Sequence, residues 1–282
     1  MAYIFHMKLK HVVSFAHKLG QPLNGVQKAP ALIVNRLYKQ HKLDFQHRQV
    51  KCSDNKKYFR NNINALYEEN CKIDKKDFRL NIGGDHSMSL ATVAYTLNHY
   101  PNCKVIWVDA HPDINTYEHS ETKNMHGMPL AYVTGLDMDR SFSFLQKTLS
   151  LDRLMYVGIR SLDDFEKQVI KKYKIPHFSC QDINEYPNEC FQTIDNFLQD
   201  SPFHLSFDVD SFDPKVIKHT GTIVNSGLHE ETGIALLQHL TRKTTLVNMD
   251  LTEINPDIDQ SPIENTLQVI DKCLEPLWNH RQ

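Results

Sequence analysis

Short apolar segments alternate with longer segments of helical periodicity along most of the chain. The longer segments place apolar side chains three or four residues apart, as in Phe165, Val169, Ile170 and Tyr173. The short segments have the length and apolar content of buried strands. We predict eight of them, at Val12–Ala16, Leu43–Val50, Phe78–Gly83, Val105–Asp109, Leu154–Gly158, Ile175–Ser179, His204–Asp208 and Thr245–Leu251.

Strand and helix in alternation predict an α/β fold of three layers, a doubly wound and mainly parallel sheet with helices on both faces. In such folds the ligands bind beyond the carboxyl ends of the strands. The stretch from residue 52 to 77 is polar and only weakly helical, at residues 63 to 67. No repeat, low-complexity tract or linker divides the chain, so we expect one catalytic domain over residues 1–282.

Two of the predicted strands run directly into alternating acidic and imidazole side chains. VIWVDAHPD ends in Asp109, His111 and Asp113, and LSFDVDSFD carries Asp208 and Asp210. Because alternate side chains of an extended backbone point to one side, each set can converge on one point. One such motif alone is more simply explained as turn chemistry, since Asp is a common turn residue. Two together, each after a buried strand, favour a cation site, because clustered carboxylates repel one another.

A third strand end adds His86, in the segment NIGGDHSMSL where a strand turns into a helix. Its neighbours Asp85 and Ser87 are better explained as caps of that helix. Six candidate ligands rich in oxygen, with two histidines and no thiolate, suit manganese or a similar divalent ion better than structural zinc. The economical arrangement is two ions that share Asp109 and Asp208 and acidify a bridging water. The six are His86, Asp109, His111, Asp113, Asp208 and Asp210.

Composition is consistent with a soluble enzyme. The 282 residues carry a formal net charge of −2, so no basic bias suggests nucleic-acid binding. Six cysteines without CxxC pairing indicate reduced thiols in an intracellular protein, and we expect a cytoplasmic location. The N-terminal segment MAYIFHMKLKHVV is interrupted by charged and imidazole side chains, and no segment approaches a membrane span.

The chain resembles the ureohydrolase family, and within it the arginases most closely. The motifs that carry the resemblance are GGDHS at 83–87, WVDAHPDINT at 107–116, HGMP at 126–129, HLSFDVDSFDP at 204–214, TGT at 220–222 and TEINP at 252–256. The resemblance implies an eight-stranded sheet and two Mn2+ ions per chain. It assigns His86 and Asp113 to one ion, His111 and Asp210 to the other, and Asp109 and Asp208 to both. Trimers are common in the family, so it also implies a homo-oligomer.

The resemblance further implies a small-molecule substrate, L-arginine, hydrolysed to L-ornithine and urea. His126 matches the family's proton-shuttling histidine, and Glu253 matches the carboxylate that holds the guanidinium; with Asp113 they form the predicted catalytic set. An imidazole titrates near neutral pH, and a carboxylate can accept a guanidinium through two parallel hydrogen bonds, so both assignments agree with the chemistry. The candidate substrate-binding residues are Asn115, Ser120, Thr122 and Asn124 for the α-carboxylate end, Asp163 and Glu166 for the α-amino end, and Thr222.

Alternatives remain open at this point. A related ureohydrolase acting on agmatine or formiminoglutamate would share the metal ligands, and the segment TGTIVNSG departs from the family's usual TGTPV and two glycines at Ile223, Asn225 and Ser226. A non-catalytic scaffold relative would be expected to lack metal ligands, and all six are present. A zinc deacetylase of similar fold needs only one ion, which leaves Asp113 and Asp210 without a clear role.

Overall fold

A single eight-stranded sheet forms the middle layer of the computed structural model, which describes residues 9–279. Every ladder between neighbouring strands is parallel, in the order β2-β1-β3-β8-β7-β4-β5-β6. The strands are β1 His11–Phe15, β2 Gln46–Val50, β3 Arg79–Gly83, β4 Lys104–Val108, β5 Leu154–Val157, β6 His177–Phe178, β7 Phe203–Asp208 and β8 Leu246–Thr252. The predicted fold class and the eight strands are confirmed.

Helices cover both faces of this sheet. They are α1 Ala29–Lys39, α2 Phe59–Cys71, α3 Ser89–His99, α4 Pro129–Thr134, α5 Asp164–Tyr173, α6 Cys180–Glu185, α7 Pro187–Leu198, α8 Glu230–Thr241 and α9 Glu264–Leu274. Alternate residues of β4 enter different cores: Ile106 packs with α1 and α6 to α9, whereas Trp107 packs with α2 to α5. A strand buried on both faces must be apolar throughout, which explains the continuous apolar runs in the sequence.

Six of the predicted strands agree with the observed bounds to within one residue, and three elements differ by more. The second strand starts at Gln46 rather than Leu43, and the sixth ends at Phe178 because Ser179 caps α6 by accepting the Asp182 backbone N–H. The polar stretch before β3 forms the 13-residue helix α2, longer than its weak periodicity indicated. Two fully buried side chains, Ile63 and Leu66, attach that helix to the sheet, so tertiary packing stabilises it.

Residues 1–8, which are part of the N-terminal segment interpreted above, lie outside the described residues. Between residues 9 and 279, no helix combines the length and apolar character that a bilayer crossing requires.

Candidate metal centre

The strand order brings the predicted ligands together at one edge of the sheet. His86 follows β3, Asp109 follows β4 and Asp208 ends β7, and the four central strands are β3, β8, β7 and β4. The chain leaves β3 for β4 across a gap that β7 and β8 fill later. The carboxyl ends of all four parallel strands therefore meet at the crossover point, where α/β sheets bind their ligands.

His86 is surrounded by three carboxylates. Its Nδ1 lies 3.0 Å from Asp109 Oδ2, 3.0 Å from Asp113 Oδ2 and 3.1 Å from Asp208 Oδ2. None of these contacts has hydrogen-bond geometry, and the buried Nδ1 is without a hydrogen-bond partner among residues 9–279. Its other ring nitrogen, Nε2, hydrogen-bonds to Ser206 Oγ at 2.8 Å. A neutral histidine that carries its proton on Nε2 would present the Nδ1 lone pair to these carboxylates, so the residues fit a metal ion.

Asp109 links this group to a second one. Its Oδ1 lies 3.5 Å from His111 Nδ1, and Asp210 Oδ2 lies 3.0 Å from the same nitrogen. Two sets can therefore hold an ion, His86 with Asp109 and Asp208, and Asp109 with His111 and Asp210. Asp208 belongs to the first set only, and its Oδ1 accepts the Asp210 backbone N–H at 2.9 Å. Its expected sharing between two ions stays a prediction.

The electrostatics of the cluster call for added positive charge. Burial opposes a charged His86, yet Asp109, Asp113 and Asp208 outweigh it and hold the pKa well above its ordinary value. Despite the same burial effect, Asp210 and Asp109 raise the pKa of His111 to about 12. Burial, with repulsion from Asp109, raises the pKa of Asp113 to about 6. Two divalent cations would balance the four aspartates while leaving both imidazoles neutral as ligands.

Residues behind the ligands fix their orientation, and the sequence analysis missed them. Trp107 Nε1 donates to Asp109 Oδ2 at 3.0 Å, and its ring stacks on His86 with centroids 4.3 Å apart. Trp107 lies two residues before Asp109, as Ser206 lies two before Asp208. The strand alternation that identified the ligands therefore also contained the signal for their supports.

Local backbone geometry also sets the positions of two site residues. Asp113 has φ 49° and Glu253 has φ 63°, a left-handed conformation that costs energy for residues with a side chain. Gly84, just before Asp85, allows a close approach to the segment that follows β1, because a Cβ there would lie 1.7 Å from the His17 carbonyl oxygen. The predicted cap is confirmed, since Asp85 Oδ1 accepts the Ser87 backbone N–H at 3.1 Å.

His126 and Glu253 face each other beside the metal centre. Glu253 Oε1 lies 3.2 Å from His126 Nδ1 and accepts the His86 backbone N–H at 2.8 Å. Burial disfavours the imidazolium, but Glu253 outweighs it and raises the pKa of His126 to about 9. The His126 side chain is 18% exposed and that of Glu253 only 2%. His126 thus connects the buried carboxylate with solvent.

Comparisons with known proteins agree with this geometry. A model of the arginase family matches residues 11–275. The chain is 33% identical over 294 residues to an arginase of Entamoeba histolytica, an alignment that covers 94% of this chain and 96% of that protein. The chain belongs to the arginase family. It is also 38% identical over 201 residues to an arginase of Coccidioides immitis, which covers 67% of this chain and 62% of that protein.

Solved structures of arginases share the fold. The Entamoeba histolytica arginase in complex with L-ornithine superposes with a TM-score of 0.86 at 29% identity, covering 96% of this chain and 99% of that chain. The Bacillus subtilis arginase gives a TM-score of 0.88 at 26% identity, covering 97% and 99%. The family resemblance stated from the motifs is therefore confirmed.

The loop after the ligands of β4 carries the residues expected to contact an arginase substrate. Asn115 Nδ2 donates to Asp163 Oδ2 at 2.5 Å. This hydrogen bond connects the residue expected at the α-carboxylate of the substrate with the residue expected at its α-amino group. Ser120 Oγ accepts the Lys123 backbone N–H, and Thr122 Oγ1 accepts that of Asn124. Ser120 is buried and Thr122 is exposed. Their expected contacts with a substrate stay predictions.

Two other expected substrate residues are already engaged elsewhere. Glu166 is buried, and its carboxylate oxygens accept the backbone N–H groups of Asp163 and Ile114, so it helps to position Asp163; its expected contact with a substrate stays a prediction. Burial raises the pKa of Glu166 to about 8. Thr222 Oγ1 donates to Asp210 Oδ2 at 2.8 Å and therefore supports a candidate metal ligand.

Proposed function

We propose that this protein is a manganese-dependent arginase that hydrolyses the guanidinium of L-arginine to L-ornithine and urea. The observation that carries the proposal is the carboxylate of Asp109, which offers Oδ2 to the set with His86 and Oδ1 to the set with His111, beside the partly exposed His126 and the buried Glu253. The ornithine complex of the Entamoeba histolytica relative supports the choice of substrate, because ornithine is the product of this reaction.

In the proposed centre, His86 and Asp113 would hold one Mn2+ and His111 and Asp210 the other, with Asp109 and Asp208 as the ligands that both ions would share. When bound, the two ions supply Lewis acidity and lower the pKa of a water molecule, which makes a nucleophile available at neutral pH. The donor set supports this assignment, since carboxylate and imidazole without thiolate suit Mn2+.

Glu253 orients the guanidinium. A carboxylate can orient a planar guanidinium because it accepts two parallel hydrogen bonds from it. Glu253 is almost fully buried, so few water molecules compete for these hydrogen bonds. At the other end of the substrate, Asn115, Ser120 and Thr122, with Asn124 nearby, bind the α-carboxylate. Asp163, held by Glu166, binds the α-amino group.

His126 and Asp113 move the proton. Hydrolysis adds a hydroxyl group to the guanidinium carbon and a proton to the nitrogen that leaves with ornithine as the carbon–nitrogen bond breaks. Asp113 delivers that proton, and His126, which is partly exposed, exchanges protons with solvent.

The test is a urea assay on the purified protein after Mn2+ loading, with elemental analysis of the same sample. We expect about two Mn2+ per chain and urea release from L-arginine. Full activity with a single tightly bound zinc would contradict the metal assignment. Faster release of urea from agmatine, or turnover of formiminoglutamate, would place the protein with the other ureohydrolases. In that case Ile223 and Asn225, which depart from the usual family sequence, would be the first residues to examine for the changed substrate preference.

Three further features belong to the proposal. We expect a single arginase-like catalytic domain over residues 1–282, a cytoplasmic location and a homo-oligomer, with a trimer as the first candidate. Sedimentation of the purified chain measures the oligomer, and limited proteolysis followed by mass spectrometry measures whether any part separates as a stable fragment. Fractionation of cells of the source organism measures the location.

A further inference from the structure

A buried carboxylate lies behind the metal centre, on β8, and receives four hydrogen bonds. Asp250 is fully buried, and its Oδ2 accepts from Ser89 Oγ at 2.8 Å, from Thr92 Oγ1 at 2.5 Å and from His204 Nε2 at 3.0 Å. Its Oδ1 accepts from Asn81 Nδ2 at 2.9 Å. All four partners can donate a hydrogen, as an ionised carboxylate requires, and three of them meet at Oδ2.

Asp250 acts as an acceptor only. Burial opposes its ionisation, but His204 and the hydroxyl groups of Thr92 and Ser89 outweigh burial and lower the pKa of this carboxyl below its ordinary value. A carboxylate without a proton can donate no hydrogen bond. The single hydroxyl hydrogen of Ser89 must therefore point at Asp250.

The donation from Ser89 to Asp250 sets the direction of two further hydrogen bonds, between Ser206 and Ser89 and between His86 and Ser206. Ser89 Oγ lies 3.2 Å from Ser206 Oγ, which lies 2.8 Å from His86 Nε2. Since Ser89 donates its only hydroxyl hydrogen to Asp250, it can only accept from Ser206, so Ser206 must donate to Ser89. Ser206 then has only lone pairs left for His86, so His86 must carry a hydrogen on Nε2. The lone pair of a neutral His86 is thereby placed on Nδ1, which faces the three carboxylates.

We propose that Asp250, acting through Ser89 and Ser206, is a positioning residue that fixes the Nε2 proton of His86 and so prepares Nδ1 to bind a metal ion. We call this chain of hydrogen bonds, from Asp250 through Ser89 and Ser206 to His86, the relay. It rests on the metal centre of the proposed function. Without the Ser89 oxygen, the Ser206 hydroxyl loses its acceptor and can turn its hydrogen toward Nε2, which favours the tautomer with a proton on the metal-facing nitrogen.

Two side chains of α3 make a matched pair for the test. Ser89 and Thr92 are both fully buried and both donate to the same oxygen of Asp250. Only Ser89 also contacts Ser206. A role limited to stability predicts that Ser89→Ala and Thr92→Val behave alike, each lowering Tm. The relay predicts that only Ser89→Ala weakens the ion bound by His86.

The experiment titrates Mn2+ into the full-length wild type, Ser89→Ala and Thr92→Val, with calorimetry for the dissociation constants and electron paramagnetic resonance for the coupled ion pair. We expect Ser89→Ala to weaken one of two ions by roughly 10- to 100-fold, the scale for lost support of a metal-binding histidine. The coupled signal should then need more Mn2+ to develop, while Thr92→Val stays within about twofold of wild type.

Equal dissociation constants for the two variants would overturn the relay, whether both match wild type or both are weakened. Asp250→Asn adds a second measurement, because its amide can donate to Ser89 and reverse the chain of hydroxyl groups; we expect the same ion to be weakened. If Asp250→Asn does not fold, the Ser89 and Thr92 pair still decides. A wild type that binds fewer than two ions would instead refute the proposed function itself.

Discussion

Ser120 offers the sharpest test of how the protein would recognise its substrate. Its hydroxyl oxygen accepts the Lys123 backbone N–H at 3.1 Å, and within residues 9–279 its hydroxyl hydrogen has no acceptor. A buried hydroxyl with an unused hydrogen, on the loop that follows the metal ligands, suits a carboxylate. L-arginine has an α-carboxylate and agmatine has none, so Ser120→Ala should affect only arginine.

The expected magnitude follows from burial. A hydrogen bond to a charged group contributes about 1.5 to 3 kcal/mol, which corresponds to roughly 10- to 150-fold in kcat/KM. Ser120 is 6% exposed, so little water competes with its hydrogen bond, whereas Thr122 is exposed and should contribute less. The two hydroxyls together predict that the wild type prefers arginine over agmatine by about 10²- to 10⁴-fold, in line with sites built to bind a polar group.

The assay measures kcat/KM for both compounds in wild type, Ser120→Ala and a control, Thr116→Val. Thr116 is on the same loop, but its hydroxyl is engaged with His119 Nδ1 at 2.6 Å, so its loss should change both substrates equally. We expect Ser120→Ala to lower the arginine value and to leave agmatine within about twofold. A parallel fall for the two compounds, or a wild type that does not distinguish them, would refute this reasoning.

Three further predictions follow from the site and its surroundings. Asp109→Asn should lose both Mn2+ ions, not one, because each oxygen serves a different set; elemental analysis at saturating Mn2+ measures this, and one retained ion would contradict it. His126→Asn should keep two ions and slow turnover by roughly 10²-fold, the scale of lost proton transfer, and unchanged kcat across pH would exclude a proton-transfer role. Burial raises the pKa of Cys52 and of Cys103 to about 12, so at pH 8 both thiols should react with a disulfide reagent much more slowly than in unfolded protein, with the exposed Cys71 reacting first; equal native and unfolded rates would be inconsistent with this.

The sequence by itself determined the fold class and the ligand candidates. Strands buried on both faces must be apolar throughout, and strand-to-helix alternation favours a parallel sheet, so both features are local patterns. The convergence of Asp109, His111 and Asp113 also followed locally, from the two-residue repeat of an extended chain. The helix cap at Asp85 could also be predicted locally, because capping depends on the residue type at the start of a helix.

Only the tertiary structure decided which residues support those ligands and how the charges are shared. Ser206 meets His86 because β7 and β8 fill the gap between β3 and β4, a strand order that no local pattern contains. The helix α2 forms because the sheet buries Ile63 and Leu66, not because its sequence is strongly helical. The hydrogen bond by which Glu166 holds the Asp163 backbone N–H was likewise decided by packing, while the expected role of Glu166 at the substrate stays a prediction. Hydrogen-bond direction and burial depend on groups that are distant in the chain, so packing alone determines them.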